Sequence, residues 1–155
     1  MTQTQSDNPV AQESGSAAQI LFDLVSTPSV SGNEHTAATV FAEHARSLGF
    51  DAHVDEVNNA IAHRGSDDAG IHIVLLGHID TVPGDIPVRI EDGTLYGRGS
   101  VDAKGPLTAM LVAASQATLP DGVRITVAGA AGEETSGSVG ARHIVDQWSP
   151  DACLI

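Results

Sequence analysis

The sequence is poor in cysteine, aromatic residues and positive charge, and each scarcity excludes a class of protein. Cys153 is the only cysteine among 155 residues, which excludes a disulfide framework or a cysteine-based zinc site within one chain. Only 3% of the residues are aromatic, so a core must be built from Ala, Val, Leu and Ile. Seven basic residues stand against twenty acidic ones. That balance argues against binding nucleic acid or an anionic membrane surface, since both attract positive charge.

Long apolar runs and targeting features are also scarce. No run approaches the roughly 20 apolar residues that span a bilayer. The polar N-terminus lacks the basic and apolar regions of a signal peptide. We therefore expect a cytoplasmic protein that interacts with no membrane, with residues 1–15 as a flexible tail. The net charge of −13 leaves two explanations open, an adaptation to high salt or an ordinary acidic composition.

The rest of the chain, residues 16–155, indicates one folded α/β domain, because 41% of the sequence is hydrophobic. Apolar periodicity predicts helices at about 16–26, 34–48, 103–118 and 138–148. Strands are predicted at about 50–57, 60–63, 71–77, 86–90, 94–96, 123–128 and 152–155. Strands that alternate with helices predict a layered sheet with helices on both faces.

Two local patterns make sharper predictions. Ser31 and Glu34 form a capping-box pattern, in which the Ser31 hydroxyl accepts a main-chain N–H one turn on and Glu34 reaches back. The apolar run 73–76 does not alternate with polar residues. Such runs are typical of strands covered on both faces, so strand 71–77 is predicted to be the most buried strand.

Polar side chains follow three successive predicted strands. His78 and Asp80 are two residues apart after strand 71–77, so they face the same side, and Asp80 is placed to hold the second ring nitrogen of a metal-binding His78. Asp102 follows a glycine-rich turn at the start of a helix, where a carboxylate could bridge two cations. Glu133 and Glu134 are adjacent carboxylates, whose repulsion is tolerable if one binds a cation and the other acts as a base.

Each of these groups alone also has an ordinary structural interpretation. The His78–Asp80 pair could satisfy loop backbone groups, Asp102 could be a plain helix cap, and the two glutamates could be solvated. A phosphate-binding loop is excluded, because the segment 103–105 lacks the required Lys-Ser/Thr pair. A dinucleotide fingerprint is excluded because residue 102 is not glycine.

The joint order of the polar groups favours a ligand site. Three such groups at the C-terminal ends of three strands point to the edge where open α/β sheets bind ligands. His, Asp and Glu without Cys suit zinc, cobalt or manganese in a hydrolytic site.

The motifs GHIDTVP at 77–83 and YGRGSVDAKG at 96–105, with the pair 133–134, resemble the two-metal amidohydrolases and exopeptidases. This family includes acetylornithine deacetylase, succinyl-diaminopimelate desuccinylase and aminoacylase, and the resemblance covers 16–155. The stretch 77–107 is most similar to the [LysW]-lysine/ornithine hydrolases. These release lysine or ornithine from an amino-group carrier protein in lysine or arginine biosynthesis.

The resemblance implies a role for each candidate residue. His78 would bind one divalent cation, Glu134 would bind a second, and Asp102 would bridge both. Glu133 would be the general base that takes a proton from the attacking water and passes it to the leaving amine, and Asp80 would orient His78. Zinc is the cation expected first, with cobalt as the alternative. The peptide bond after Asp102 is expected to be cis.

The resemblance also implies parts that this chain does not carry. The family completes its site with an acidic ligand beyond a stretch like 151–155 and with a late histidine, and a separate lid domain forms a homodimer. We therefore expect the N-terminal half of a phosphorylase/hydrolase-like metallopeptidase catalytic domain, with the lid absent and no measurable hydrolysis by 155 residues alone.

The expected function of the intact protein is metal-dependent hydrolysis of an amide that links lysine or ornithine to a carrier protein. Two alternatives stay open. One is a broad-specificity deacylase of small N-acyl amino acids, or a dipeptidase, of the same family. The other is an inactive, truncated α/β domain.

Overall fold

The structure, a computed structural model, describes residues 16–155, so the predicted tail at 1–15 lies outside the described residues. Its helices are α1 (Ala17–Ser26), α2 (His35–Ser47), α3 (Lys104–Gln116) and α4 (Val139–Gln147). Its strands are β1 (Asp51–Val54), β2 (Ala60–Gly65), β3 (Ile71–His78), β4 (Arg89–Glu91), β5 (Thr94–Tyr96), β6 (Val123–Ala130) and β7 (Ala152–Leu154). The predicted α/β alternation is confirmed. Over the described range, no helix is both long enough and apolar enough to cross a membrane.

Five strands form the main sheet in the order β1-β2-β6-β3-β7. β3 and β7 run parallel as neighbours, and β3 pairs parallel with β6 from Ile71–Val123 to His78–Ala130. β1 and β2 are antiparallel additions on the other side of β6. Because β3 and β6 end together, the loops that follow them meet at one edge of the sheet.

Helices pack on both faces of this sheet, as predicted, but unequally. The larger core joins α1, α2 and α3 to one face through buried Ile20, Leu24, Phe41, Leu107, Leu111 and Val127. The smaller core joins α4 to the opposite face, through Ile61, Ala128 and Ile144 with Leu76 and Trp148 packed against them. The chain therefore has one well-covered face and one face covered mainly by α4 and Trp148.

The prediction that the strand at 71–77 is the most buried was wrong. In β3 only Val74 and His78 are buried, whereas β6 is buried from Ile125 through Ala130. The cause is position in the sheet. β6 has long neighbours on both sides, while one neighbour of β3 is the three-residue strand β7.

Several predicted boundaries were confirmed by their local chemistry. Ser16 caps α1 by accepting the Gln19 N–H. Gly49 follows the predicted helix end at about 48 and has a φ of 87°, the left-handed conformation that commonly ends a helix. β4 and β5 pair across Asp92-Gly93, both with positive φ, as a hairpin outside the main sheet.

The capping box at Ser31 and Glu34 was wrong. Helix α2 begins at His35 with Glu34 as its N-cap, and no side chain caps it. The Glu34 carboxylate accepts the main-chain N–H of Gly32 at 2.6 Å. The Ser31 hydroxyl instead donates to the carboxylate of Asp80, 49 residues away in the sequence.

Candidate metal centre

The site begins at the end of β3, where His78 and Asp80 are both buried. The Nδ1 atom of His78 lies 3.0 Å from the main-chain oxygen of Asp80 and 3.5 Å from its carboxylate Oδ1. Both parts of Asp80 therefore hold the same ring nitrogen, with the carbonyl closer. The opposite nitrogen, Nε2, is left facing the acidic side chains of the loops.

The pKa values of His78 and Asp80 are shifted in opposite directions. Hydrogen bonding to Asp80 raises the pKa of His78 to about 9, and Asp102 adds to the rise against the effect of burial. Burial by itself would raise the pKa of Asp80. Hydrogen bonds from His78, from the Ser31 hydroxyl and from two main-chain amides outweigh burial and bring the pKa down to about 2. Asp80 is therefore a fully ionised carboxylate in the interior, stabilised by its donors.

The part of the fold that positions Asp102 is not the one that the sequence predicted. The strand before it, β5, belongs to the separate hairpin, so Asp102 does not extend a strand of the main sheet. It stands just before α3, and its Oδ1 lies 2.9 Å from Nε2 of His78. Its side chain is 77% exposed, and the peptide bond after it is cis, as expected.

A glycine makes the turn before Asp102 possible. Gly99 has a φ of 78°, and a Cβ there would lie 2.7 Å from Cγ2 of Thr81. Its carbonyl accepts the N–H of Lys104 at 3.0 Å, which closes the turn into α3. A side chain at this position would push Asp102 away from the end of β3.

Glu133 and Glu134 follow β6 and meet His78 across the sheet edge. Each of the three residues offers an atom that lies within 4.8 Å of the others, and Oε2 of Glu133 is 3.9 Å from Nε2 of His78. The main-chain N–H groups of Glu133 and Glu134 each donate to the Asp80 carboxylate at 3.1 Å. The five residues predicted for the site are therefore brought together by direct contacts.

The donor set fits divalent cations. Nε2 of His78 lies 2.9 Å from Oδ1 of Asp102 and 3.9 Å from Oε2 of Glu133. Glu134 also offers an atom within 4.8 Å of His78 and Glu133. Like-charged groups this close repel, and a divalent cation removes that repulsion while it uses oxygen and nitrogen ligands of the kind that zinc, cobalt and manganese accept. The residues could hold such an ion, with His78 contributing Nε2.

Sequence reasoning missed residues that support the site from a distance. Asn59 is fully buried, and its side chain accepts the N–H of Ala131 and donates to the carbonyl of Gly140, clamping both ends of the loop that carries Glu133. Gly140 has no room for a side chain against Asn59. In the sequence Asn59 is only the second residue of an Asn-Asn pair, a pattern that gives no hint of burial.

A cavity of about 250 Å³ lies beside the carboxylates and is lined in part by Asp102 and Glu134. Val82, Ile86 and Val101 give it apolar walls, and Arg98 lies in the lining as well. A larger cavity of about 770 Å³ between α1 and α2 has none of the five site residues in its lining. Of these two cavities, only the smaller is lined by site residues.

The sequence of this chain matches a known protein family. The family model described as "Peptidase family M20/M25/M40" matches residues 74–155. The [LysW]-lysine hydrolase of Deinococcus radiodurans is 46% identical over 143 residues, which are 90% of this chain and 39% of that protein. A putative [LysW]-lysine/[LysW]-ornithine hydrolase of Thermococcus kodakarensis is 48% identical over 137 residues, 88% of this chain and 38% of that protein. The chain spans about two fifths of the length of these relatives.

Comparison with solved structures confirms the fold. An M20 family metallo-carboxypeptidase from Sulfolobus solfataricus superposes with a TM-score of 0.70 at 22% identity, covering 89% of this chain and 36% of that chain. A tripeptidase from Staphylococcus aureus gives a TM-score of 0.66 at 28% identity, with 88% and 41% covered. A dinuclear metal-binding M20 peptidase from Bacillus subtilis gives 0.61 at 19% identity, with 84% and 38% covered.

Proposed function

The chain belongs to the M20/M25/M40 family of peptidases, and from that premise we propose that its full-length form is a metal-dependent hydrolase of an amide bond. By full-length form we mean this chain continued to the length of its relatives. The proposed reaction releases lysine or ornithine from an amino-group carrier protein. The names of the two similar proteins from Deinococcus radiodurans and Thermococcus kodakarensis support this substrate.

The observation that carries the proposal is the meeting of His78 with three carboxylates at the edge where β3 and β6 end. Those carboxylates come from two loops that are far apart in the sequence. A set of one imidazole and three carboxylates suits two divalent cations, and we propose zinc first with cobalt as the alternative.

When bound, the two cations would polarise the scissile carbonyl and lower the pKa of the attacking water. His78 and Glu134 would each hold one cation, and Asp102 would hold both. Glu133 takes the proton from the water and delivers it to the leaving amine, and its half-exposed carboxylate is free to turn between the two. Asp80 occupies Nδ1 of His78, so Nε2 is the nitrogen that binds.

A broad-specificity deacylase or dipeptidase is the second candidate. The tripeptidase from Staphylococcus aureus, at 28% identity, favours it. An inactive α/β domain is the third candidate, and the same assays test it. Homodimerisation through a separate lid domain remains a prediction from the resemblance. A cytoplasmic location remains a prediction from the N-terminus and the scarcity of long apolar runs. The molar mass of the full-length form in solution tests the dimer.

A substrate panel tests the proposal. The full-length form, loaded with zinc or cobalt, is assayed on carrier-linked lysine, carrier-linked ornithine, N-acetylornithine and dipeptides. The proposal expects carrier-linked substrates to have the highest kcat/KM. Preference for N-acetylornithine or dipeptides would favour the second candidate, and a metal-loaded protein that hydrolyses none of them would favour the third.

The Glu133→Gln variant tests the mechanism. Loss of a general base costs about 10²- to 10⁴-fold in turnover, whereas the variant is expected to keep its metal because the ligands assigned to the cations are unchanged. The matched control is Glu43→Gln, an exposed glutamate on α2, which is expected to keep full turnover. Near-wild-type turnover by Glu133→Gln would overturn the assignment of the base.

A further inference from the structure

Ser31 lies in the loop between α1 and α2, and its hydroxyl is used far from the helix that follows it. The helix begins at His35 and takes nothing from Ser31. The Ser31 Oγ donates to Oδ2 of Asp80 at 2.7 Å, the distance of a strong hydrogen bond to a charged acceptor. Because the Asp80 side chain is 0% exposed, the hydroxyl replaces a hydrogen bond that water would otherwise give.

The main chain around Ser31 fixes where that hydroxyl lies. Thr81 donates its N–H to the carbonyl of Ser29 at 2.9 Å, and Ser31 donates its N–H to the carbonyl of Thr81 at 3.2 Å. These bonds form a parallel bridge between Val30 and Thr81. The loop at 29–31 therefore runs beside residues 79–81, which directly follow β3.

The Asp80 carboxylate connects the Ser31 hydroxyl to the rest of the site. Its Oδ2 accepts both the Ser31 hydroxyl and the Glu134 N–H. Its Oδ1 accepts the Glu133 N–H and lies 3.5 Å from Nδ1 of His78. A rotation of this carboxylate would disturb the histidine ring and the main chain of both glutamates together.

We propose that Ser31 is a positioning residue of this site. Its hydroxyl fixes the rotation of the Asp80 carboxylate, and through it the His78 ring and the loop that carries Glu133 and Glu134. The inference rests on the proposed function, because it assumes that His78 and Glu134 hold cations and that Glu133 acts beside them. It differs from the usual role of a serine before a helix, which is to cap that helix.

The test compares Ser31→Ala with Ser31→Thr, which keeps the hydroxyl, in the full-length form. Cobalt alone is the probe, and the readouts are its affinity by calorimetry and the visible absorption spectrum of the bound ion. Loss of an outer hydrogen-bond partner of a metal site costs about 10- to 100-fold in affinity. We expect Ser31→Ala to bind cobalt about 10-fold more weakly, with an altered spectrum, and Ser31→Thr to restore both.

The control is Ser115→Ala. Ser115 is also half-buried, and its hydroxyl donates to the carbonyl of Val112 within α3, away from Asp80. It is expected to leave cobalt affinity and spectrum unchanged. If Ser31→Ala binds cobalt with wild-type affinity and spectrum, or if Ser31→Thr fails to restore them in a folded protein, the inference is wrong.

The outcomes separate this inference from the proposed function. A wild-type protein that binds cobalt but hydrolyses no substrate contradicts the proposed function, while the cobalt spectra still decide the role of Ser31. A wild-type protein that binds no cobalt contradicts both. Where substrate is hydrolysed, Ser31→Ala is expected to lower kcat with little change in KM, since the serine touches no substrate.

Discussion

Strand β3 carries His72 near its start and His78 at its end, and their even spacing places both on the same face of the sheet. His78 meets the carboxylates of Asp80 and Asp102, which raise its pKa to about 9. His72 is half-buried, and burial and the nearby Arg124 lower its pKa. One strand therefore holds two histidines whose pKa values are shifted in opposite directions.

His72 belongs to a histidine–tryptophan cluster formed by His53, His63, His72 and Trp148. The hydroxyl of Thr126 lies 2.7 Å from Nδ1 of His63 and 2.8 Å from Nε2 of His72. The ring of Trp148 approaches both histidines edge-on, with centroids 5.6 and 5.8 Å away. For His63 and His72, burial and then the charge of Arg124 lower the pKa, and these effects outweigh the carboxylates of Asp51 and Asp151.

The pKa of a histidine in a strand is therefore set by the residues that the tertiary structure packs against it. His63 makes the same point, since burial, followed by Arg124, lowers its pKa to about 4. The site around His78 collects negative charge, whereas His63 and His72 are partly buried beside the positive charge of Arg124.

The largest expected difference is in zinc affinity, between the variants His78→Gln and His72→Gln. In the full-length form, His78→Gln removes a proposed ligand and should weaken zinc binding by more than the roughly 10- to 100-fold that an outer partner contributes. His72→Gln should leave zinc affinity unchanged. Calorimetric titration of both variants measures the effect. Equal affinities would remove the distinction between the two histidines.

Lys104 and Arg98 form a second contrast, between a buried positive charge and an exposed one. Its side chain is 1% exposed, and Nζ donates to the carbonyls of Leu24 and Thr27 at 2.9 and 2.8 Å. Lys104→Met removes both charged hydrogen bonds, one to the buried carbonyl of Leu24 and one to the half-buried carbonyl of Thr27. The loss should lower the free energy of unfolding by about 2–4 kcal/mol.

Urea unfolding of this chain measures that loss, with Arg98→Met as the control. Arg98 makes an exposed hydrogen bond to the carbonyl of Gly84, so its loss should cost less than about 1 kcal/mol. A Lys104→Met variant as stable as Arg98→Met would show that the buried lysine does not secure the end of α1.

The pH dependence of stability is the smallest expected effect. The pKa of His63 falls from its ordinary 6.5 to about 4 on folding. Above pH 6.5 the ring is neutral in both states, and its contribution to stability is fully present. As pH falls from 6.5 to 4, the unfolded chain takes up a proton that the folded chain refuses, so stability is lost.

His63→Gln removes this source of pH dependence. Between pH 7 and pH 4.5 the wild-type chain should lose about 1–2 kcal/mol more than the variant, because solvent screens part of the full shift at a half-buried ring. Urea unfolding at both pH values, followed by the fluorescence of Trp148, measures the difference. Parallel losses in the two proteins would contradict a neutral His63.

The sequence predicted the elements of the fold well, because periodicity and turn chemistry act over a few residues. The helix end before Gly49, the two short strands that form the β4–β5 hairpin and the alternation of strands with helices were all confirmed. The relative burial of β3 and β6 was not predicted correctly, because it depends on the order of strands in the sheet. That order places β6 at the centre and β3 beside a three-residue edge strand.

Residue chemistry alone nominated His78, Asp80, Asp102, Glu133 and Glu134, since few side chains bind cations and these follow glycine turns or buried strands. Only the tertiary structure decided how they meet. Asp102 arrives from the hairpin and α3, and the Ser31 hydroxyl crosses 49 positions to reach Asp80. The opposite pKa shifts of His72 and His78 have the same origin. Local sequence carries no information about partners that only long-range packing brings within a few ångströms.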